Sequence, residues 1–308
     1  MNNGPLLFLG ILASLATSFW GLLIAPQVQI GQQQPAVIEA TGEIYPAARS
    51  GLARQGAEIY RSLGCVECHS QQVRQTGVNF DLWLAEPGTN RAELSATLTR
   101  LGVASAEVAR AIEQAPAKLR SGLTQVEAQT IASQITNGDA KAQVVLANLG
   151  PDIQRGWGRR VTVTQDYLGD YPVQLGNLRV GPDLANYGAR SPGLPEILKH
   201  LYAPQMVVGN ATKPSMMPPY RFLFTKRKLR EGETPTLPVE LGYEVTPKPE
   251  AEALAAYLMS LRADAPLKEA PVPNPPTKSA PAPAPAPGQP APIPAPTSAT
   301  PPPPTPTK

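Results

Sequence analysis

Residues 51–69 read GLARQGAEIYRSLGCVECH and contain the only two cysteines of this 308-residue chain and one of its two histidines. The cysteines are Cys65 and Cys68, and His69 follows directly, so the spacing is C-x-x-C-H. This is the spacing of a c-type haem attachment site, in which the two sulfurs bind the porphyrin covalently and the imidazole coordinates the iron. The stretch therefore predicts one covalently attached haem c.

Two other chemistries remain open for the same side chains. A redox disulfide of the thioredoxin kind also uses C-x-x-C, although it does not require a histidine directly afterwards. A zinc site needs four ligands. The residues that could supply them are Cys65, Cys68, His69 and His200. Haem is the interpretation that uses both cysteines and the adjacent histidine at their observed spacing.

The segment before the motif has the pattern of a short helix. Apolar residues recur at approximately helical spacing from Leu52 to Leu63, and Gly64 follows where a helix C-cap favours glycine. A second amphipathic helix is predicted over residues 250–261, which read EAEALAAYLMSL. If this helix crosses the first one at Gly56, the pair closes a small cytochrome c-like fold. We expect a mainly α-helical chain.

The amino terminus predicts a membrane anchor. No charged residue precedes Glu39, and the 19 residues from Leu6 to Ile24 form an apolar run. At 1.5 Å per residue this run spans about 28 Å, close to the hydrocarbon thickness of a bilayer. A cleaved signal peptide would have a basic start and a shorter apolar stretch. Since bacterial haem attachment occurs outside the cytoplasmic membrane, we expect a single-pass protein of the bacterial inner membrane with its haem domain in the periplasm.

Composition indicates the function class and the domain organisation of the rest of the chain. A net charge of +3 with 17% charged residues is too mild for a nucleic-acid-binding protein. Amphipathic stripes predict a small helical insert within the haem domain, and the proline-rich end has too few apolar side chains to pack and is predicted to be disordered. The predicted divisions are an anchor (1–26), a linker (27–50), a cytochrome c domain (51–262) with an insert (about 81–150), and a proline-rich tail (263–308).

A second axial ligand has to be chosen for the haem iron. The choices are His200, one of the methionines Met206, Met216, Met217 and Met259, or an open position for a small gas. A thioether ligand raises the reduction potential, which suits electron transfer. Met217 is the favoured methionine because Pro218 and Pro219 follow it, and a loop that cannot be helical is stiff enough to present the sulfur.

Four segments carry a resemblance to a known family. The chain resembles the monohaem cytochrome c subunit, subunit II, of cbb3-type cytochrome c oxidases (the FixO/CcoO family), which also has an amino-terminal anchor. The most specific part is the HSQxVR continuation of the haem motif. The insert and the proline-rich tail are atypical of that family. The segments are GAEIYRSLGCVECHSQQVR (56–74), LRVGPDLANYG (178–188), LKHLYAP (198–204) and SMMPPY (215–220).

The resemblance implies roles for individual residues. It makes His69 and Met217 the axial ligands, with the haem held by the two cysteines, and it makes His200 structural. It also implies that the carbonyl oxygen of Pro182 accepts a hydrogen bond from the other ring nitrogen of the axial histidine. Arg74 and Arg179 become candidates to neutralise the haem propionates.

The function implied by the resemblance is electron transfer rather than catalysis. The chain is expected to take electrons from another c-type cytochrome and pass them to the haem–copper catalytic subunit, and it is not expected to be an enzyme on its own. One alternative is the anchored cytochrome subunit of a nitric oxide reductase or of a quinol-oxidising complex. A haem peroxidase or gas sensor with a displaceable sixth position is another.

Overall fold

The computed structural model describes residues 3–39, 41–207 and 215–277. The fold is mixed α/β, with 42% helix and small antiparallel sheets. The expectation of a mainly α chain therefore holds only in part, because the insert contains strands that the helical stripes of the sequence concealed.

The described elements alternate between helices and short strands along the chain. The α-helices are α1 (Gly4–Phe19), α2 (Ala25–Gln29), α3 (Gly51–Ser62), α4 (Arg91–Arg100), α5 (Ser105–Glu113), α6 (Gln125–Thr136), α7 (Pro151–Gln154), α8 (Tyr187–Arg190), α9 (Leu194–Tyr202), α10 (Pro204–Val207) and α11 (Pro249–Ser260). The strands are β1 (Ala36–Val37), β2 (Ile44–Tyr45), β3 (Gly77–Glu86), β4 (Ala117–Leu123), β5 (Lys141–Leu149), β6 (Phe224–Lys228) and β7 (Tyr243–Pro247).

The amino-terminal helix is long and apolar enough to cross a membrane. It runs without interruption over Gly4–Gln29, with a mean hydropathy of 2.1, and none of its apolar window is buried. One π-helical turn, Trp20–Ile24, joins α1 to α2. The helix is either a membrane anchor or a signal sequence. It extends past the predicted end of the anchor, and the predicted linker contains the β1–β2 hairpin.

The crossing of α3 and α11 forms the core around the haem motif, as the glycine on α3 predicted. A Cβ atom on Gly56 would lie 1.9 Å from the carbonyl oxygen of Ala253 and 2.7 Å from the Cβ of Tyr257, so only glycine permits this approach. Close by, the Tyr60 and Tyr257 rings pack with centroids 5.2 Å apart, and both side chains are buried. The end of α3, and with it the C-x-x-C-H turn, is thereby fixed on the core.

The insert is an α+β unit with its own core rather than a set of helices. Its sheet has the order β4-β3-β5 and is antiparallel, and α4, α5 and α6 supply the rest of its core. Leu82 and Leu84 of β3 are 1% and 0% exposed in that core. A capping box formed by Thr124 and Glu127 begins α6. The predicted helical insert is thus corrected to a βααβαβ unit over residues 77–149.

Part of the predicted tail packs on the protein. Residues 262–276, here named the C-terminal strap, bury Ala263, Ala265, Leu267 and Ala270. The backbone oxygen of Ala265 accepts a 2.7 Å bond from Arg160, which is fully buried and paired with Asp166 at 2.7 Å. Farther along, the oxygen of Asn274 accepts a bond from Gln143 of β5. The strap therefore joins the insert sheet to the loop at residue 160, and the rest of the predicted tail, from residue 278, lies outside the described residues.

Candidate haem site

The C-x-x-C-H residues lie on one tight turn at the end of α3. Gly64 has φ +68°, a left-handed conformation that favours glycine, and it turns the chain into a 3₁₀ turn over Cys65–Glu67. The carbonyl oxygen of Cys65 accepts the N–H groups of both Cys68 (3.2 Å) and His69 (2.9 Å). Cys65 is half-buried against the α3–α11 core, whereas Cys68 is exposed. Both thiols and the imidazole therefore lie on a single short turn.

The His69 ring is oriented by a backbone carbonyl. Its Nδ1 lies 2.8 Å from the oxygen of Pro182, the contact that the resemblance implied. Because a carbonyl can only accept, Nδ1 donates, and the lone pair of Nε2 is left free to bind a metal. Burial lowers the pKa of His69, so the neutral, ligating form is favoured. The imidazole is thus held in one tautomer, with Nε2 available to bind a metal.

Two glycines let a second loop close around this histidine. A Cβ atom on Gly181 would lie 2.2 Å from Cε1 of His69, and one on Gly176 would lie 2.2 Å from its carbonyl oxygen. The N–H of Gly181 donates to the carbonyl oxygen of Cys68 at 2.9 Å. The loop that carries Pro182 therefore lies directly against the haem motif, with no room for larger side chains.

Asp183 connects the residues that follow the haem motif to the loop that carries Pro182. Its carboxylate is fully buried and accepts hydrogen bonds from the Ser70 hydroxyl (2.6 Å) and from the N–H groups of Gln72 (2.7 Å) and Ala185 (2.9 Å). Each oxygen thus pairs with donors of the HSQ segment or of its own loop. The GPDL and HSQxVR segments are one hydrogen-bonded unit.

Arg179 is a structural clamp in this unit. Its guanidinium lies 2.5 Å from Asp152 and 3.7 Å from Asp183, and it donates to the carbonyl oxygen of Gln72. Both carboxylates are at most 1% exposed. Its Nε is buried with no partner among the described residues, so the propionate role that the resemblance implied for Arg179 stays a prediction.

The side chains of Arg74 and Arg190 differ in the partners that the protein provides for them. The Arg74 side chain is exposed and makes no ion pair within the described part of the chain, while its N–H donates to Asp152 at 2.8 Å. Arg190, which the sequence did not single out, stacks over the Tyr187 ring at 5.3 Å and donates to the carbonyl oxygen of Asp183. Its Nε is buried with no partner among the described residues, and its charge helps to lower the pKa of His69. An anion bound near His69 would provide a partner for the Nε of Arg190.

Among the methionines that the sequence offered as ligands, Met217 is the one that packs against the same core cluster as part of the haem motif. It lies partly buried against the core cluster that also contacts Cys65 and Val66. Met216 and Met206 are 81% and 63% exposed, and Met259 is 40% exposed on α11. Of these four methionines, Met217 is thus the one that shares a core cluster with the cysteine turn.

His200 lies half-buried on α9, and the structure does not group it with the cysteine turn as a metal site. Its pKa is lowered by burial and, to a smaller extent, by the nearby His69. In the described ranges, no three His, Cys, Asp or Glu side chains are placed to hold a metal ion. The zinc interpretation therefore gains no support.

Tyr220 is a site residue that the sequence analysis missed. Its hydroxyl lies beside the Cys65 sulfur, and burial together with the two nearby thiols raises the pKa of Tyr220 to about 12. Burial is also the main reason that the pKa of the Cys65 thiol rises to about 11. The backbone N–H of Tyr220 donates to the carbonyl oxygen of Leu201 in α9 at 2.9 Å. The available signal was its place in SMMPPY, three residues after Met217.

The donor set fits a haem c. Two thiols separated by two residues, a neutral imidazole with a free Nε2 and a thioether on the same apolar cluster are the groups that such a cofactor requires. No protein-family model matches the chain, and no curated protein sequence matches it significantly. The family resemblance therefore rests on the four segments named above.

Replacing Arg179 by leucine is expected to destabilise the protein by about 3–5 kcal/mol, because two buried carboxylates lose their shared cation. Arg155→Leu is a matched control, because that arginine is 57% exposed and its contact with Asp152 is long, at 3.8 Å. The control should cost less than about 1 kcal/mol. Urea unfolding of the full chain in detergent, followed by circular dichroism, measures both. Equal midpoints for the two variants would show that Arg179 is not the clamp.

Proposed function

We propose that the chain is a membrane-anchored monohaem c-type cytochrome that relays electrons to the haem–copper catalytic subunit of a cbb3-type oxidase. The observation that carries the proposal is the geometry at His69, whose Nδ1 bonds the Pro182 carbonyl while Nε2 is left free beside the cysteine turn. Another c-type cytochrome is the proposed donor. The apolar helix Gly4–Gln29 supports an anchor in the bacterial inner membrane, with the haem domain in the periplasm.

A haem c supplies a one-electron redox centre when bound. Cys65 and Cys68 would hold it as thioethers, and His69 would coordinate it in a fixed orientation. Met217, which is partly buried against the same core cluster as Cys65, would supply its thioether to the iron. Arg179 or Arg190, each with an Nε that lacks a partner within the described residues, would neutralise a propionate.

This arrangement favours relay over catalysis. With both His69 and Met217 as protein ligands, the iron would have no position left for oxygen or peroxide. No described side chain has to act as an acid, a base or a nucleophile. A haem peroxidase or gas sensor would instead need a vacant or readily displaced sixth position.

Purification of the tagged full chain from membranes in mild detergent tests the proposal. We expect haem that survives denaturing electrophoresis, a ferric sulfur-to-iron charge-transfer band, and co-purification of a haem–copper catalytic subunit identified by mass spectrometry. The double variant Cys65→Ala, Cys68→Ala should carry no covalent haem. Absence of haem from the wild-type chain contradicts the cytochrome assignment. Co-purification with a nitric oxide reductase or a quinol-oxidising complex instead contradicts the choice of oxidase.

A further inference from the structure

The loop over residues 171–180 carries a row of exposed apolar side chains. Five of its ten residues are large and apolar, and each of the five is at least 42% exposed. We name these five residues the apolar ridge. They are Tyr171 (98%), Val173 (44%), Leu175 (42%), Leu178 (55%) and Val180 (50%). Single exposed apolar residues are ordinary on a protein surface, whereas a concentration of them marks an interaction site.

The ridge lies beside the haem-attachment turn. The carbonyl oxygen of Leu175 accepts the N–H of Gln71 at 2.8 Å, and the N–H of Gly181, which follows Val180, donates to the carbonyl oxygen of Cys68 at 2.9 Å. Cys68 is itself exposed. These backbone bonds hold the second half of the loop against the turn. A partner bound on the ridge is therefore placed next to Cys68, one of the two points at which a haem would be attached.

The loop offers almost no unpaired charge. Arg179 is the only charged residue among residues 171–180, and its guanidinium is bonded to a buried carboxylate and a backbone carbonyl. Asp170, which precedes the ridge, is paired with Arg49. Transient partners are steered by charge, and apolar surfaces that lie on membranes have Lys or Arg beside them. This loop has neither pattern, whereas permanent interfaces are apolar and depleted of charge.

We propose that the apolar ridge is the permanent docking surface for the haem–copper catalytic subunit. The inference rests on the proposed function, because it assigns a surface to the partner named there. A permanent subunit of the same complex is the occupant that an apolar, nearly uncharged surface fits. Docking there also places the catalytic subunit beside Cys68, and so beside the attached haem. Lipid, a second copy of this chain and a soluble cytochrome are the competing occupants.

Photo-crosslinking of the full chain in membranes identifies the occupant. The photoreactive amino acid p-benzoylphenylalanine replaces Tyr171, the most exposed residue of the ridge, or Val126 as the control. Val126 is 72% exposed on α6 of the insert. We expect an adduct with the catalytic subunit, identified by mass spectrometry, from position 171 and none from position 126. An adduct at position 171 with lipid, with a second copy or with a soluble cytochrome, or the absence of any adduct there, would overturn the proposal.

Leu178→Glu combined with Val173→Glu measures how much the ridge contributes. Both side chains are exposed, so this double variant should fold and carry covalent haem at the wild-type level. Burying two carboxylates in an apolar interface should lower the amount of co-purified catalytic subunit at least about tenfold. The control, Val126→Glu combined with Leu241→Glu, introduces the same charges at positions that are 72% and 98% exposed, and it should retain the subunit. Circular dichroism and the pyridine haemochrome check folding and haem content.

The outcomes separate this inference from the proposed function. A wild-type chain without covalent haem, or one that brings no haem–copper subunit from membranes, overturns both. A complex that survives unchanged in the double variant of Leu178 and Val173 overturns the docking role of the ridge alone. Equal loss of the catalytic subunit in the control variant also overturns that role, because added charge at unrelated positions would then weaken the complex.

Discussion

Replacing Met217 by alanine is expected to make the reduced protein bind carbon monoxide and the ferric protein bind imidazole about hundredfold more tightly. That factor is expected when an open state populated at roughly 1% becomes the whole population. The ferric sulfur-to-iron charge-transfer band should disappear and the reduction potential should fall, because a thioether ligand raises the potential. Covalent haem content should not change, since the cysteines are untouched.

Met216→Ala is the matched control for this experiment. The two methionines are adjacent, yet Met216 is 81% exposed whereas Met217 packs against the cluster that contacts Cys65. The control should keep the band and exclude carbon monoxide. An unchanged ferric spectrum in Met217→Ala would mean that another residue is the ligand, and His200→Ala is then the decisive variant, because His200 is the other candidate near His69.

Local signals in the sequence were sufficient for the part of the site that lies on one turn. Cys65, Cys68 and His69 are close in sequence, and the left-handed Gly64 ends α3 where the pattern predicted. Gly56 also indicated the helix crossing, because a close approach of two helices requires a small residue. These features depend on spacing or on a single residue type, and both are visible in one sequence.

The missed features depend on contacts between distant segments. Asp152 and Arg179 are 27 residues apart, and no spacing rule joins them. Strand β3 had a readable alternation at Leu82 and Leu84, but the helical stripes on either side dominated the interpretation of the insert. In the strap, the prolines suggested disorder, whereas the structure buries four apolar side chains of this segment, Ala263, Ala265, Leu267 and Ala270.

Gly181→Ala is expected to reduce covalent haem attachment at least about tenfold. The new Cβ would lie 2.2 Å from Cε1 and 2.7 Å from Nδ1 of His69, so either the imidazole or the loop must move. Movement of the ring breaks the 2.8 Å bond between Nδ1 and Pro182. Movement of the loop breaks the 2.9 Å bond from the Gly181 N–H to Cys68. In both cases Nε2 is no longer presented beside the two thiols.

The control for Gly181→Ala is Gly77→Ala, because a Cβ on Gly77 would meet nothing within 4 Å. We expect wild-type haem content in that variant and at least about a tenfold loss in Gly181→Ala, since overpacking of about 1–3 kcal/mol displaces the imidazole. The pyridine haemochrome of the purified chains gives haem per protein, and circular dichroism shows whether the helices remain. A folded Gly181→Ala chain with full haem and an intact charge-transfer band would show that the close approach of Gly181 does not set the histidine's position. If Gly181→Ala gives a folded chain without haem, haem attachment depends on His69 and its loop. Closure of the sixth position is then a separate property, which depends on Met217.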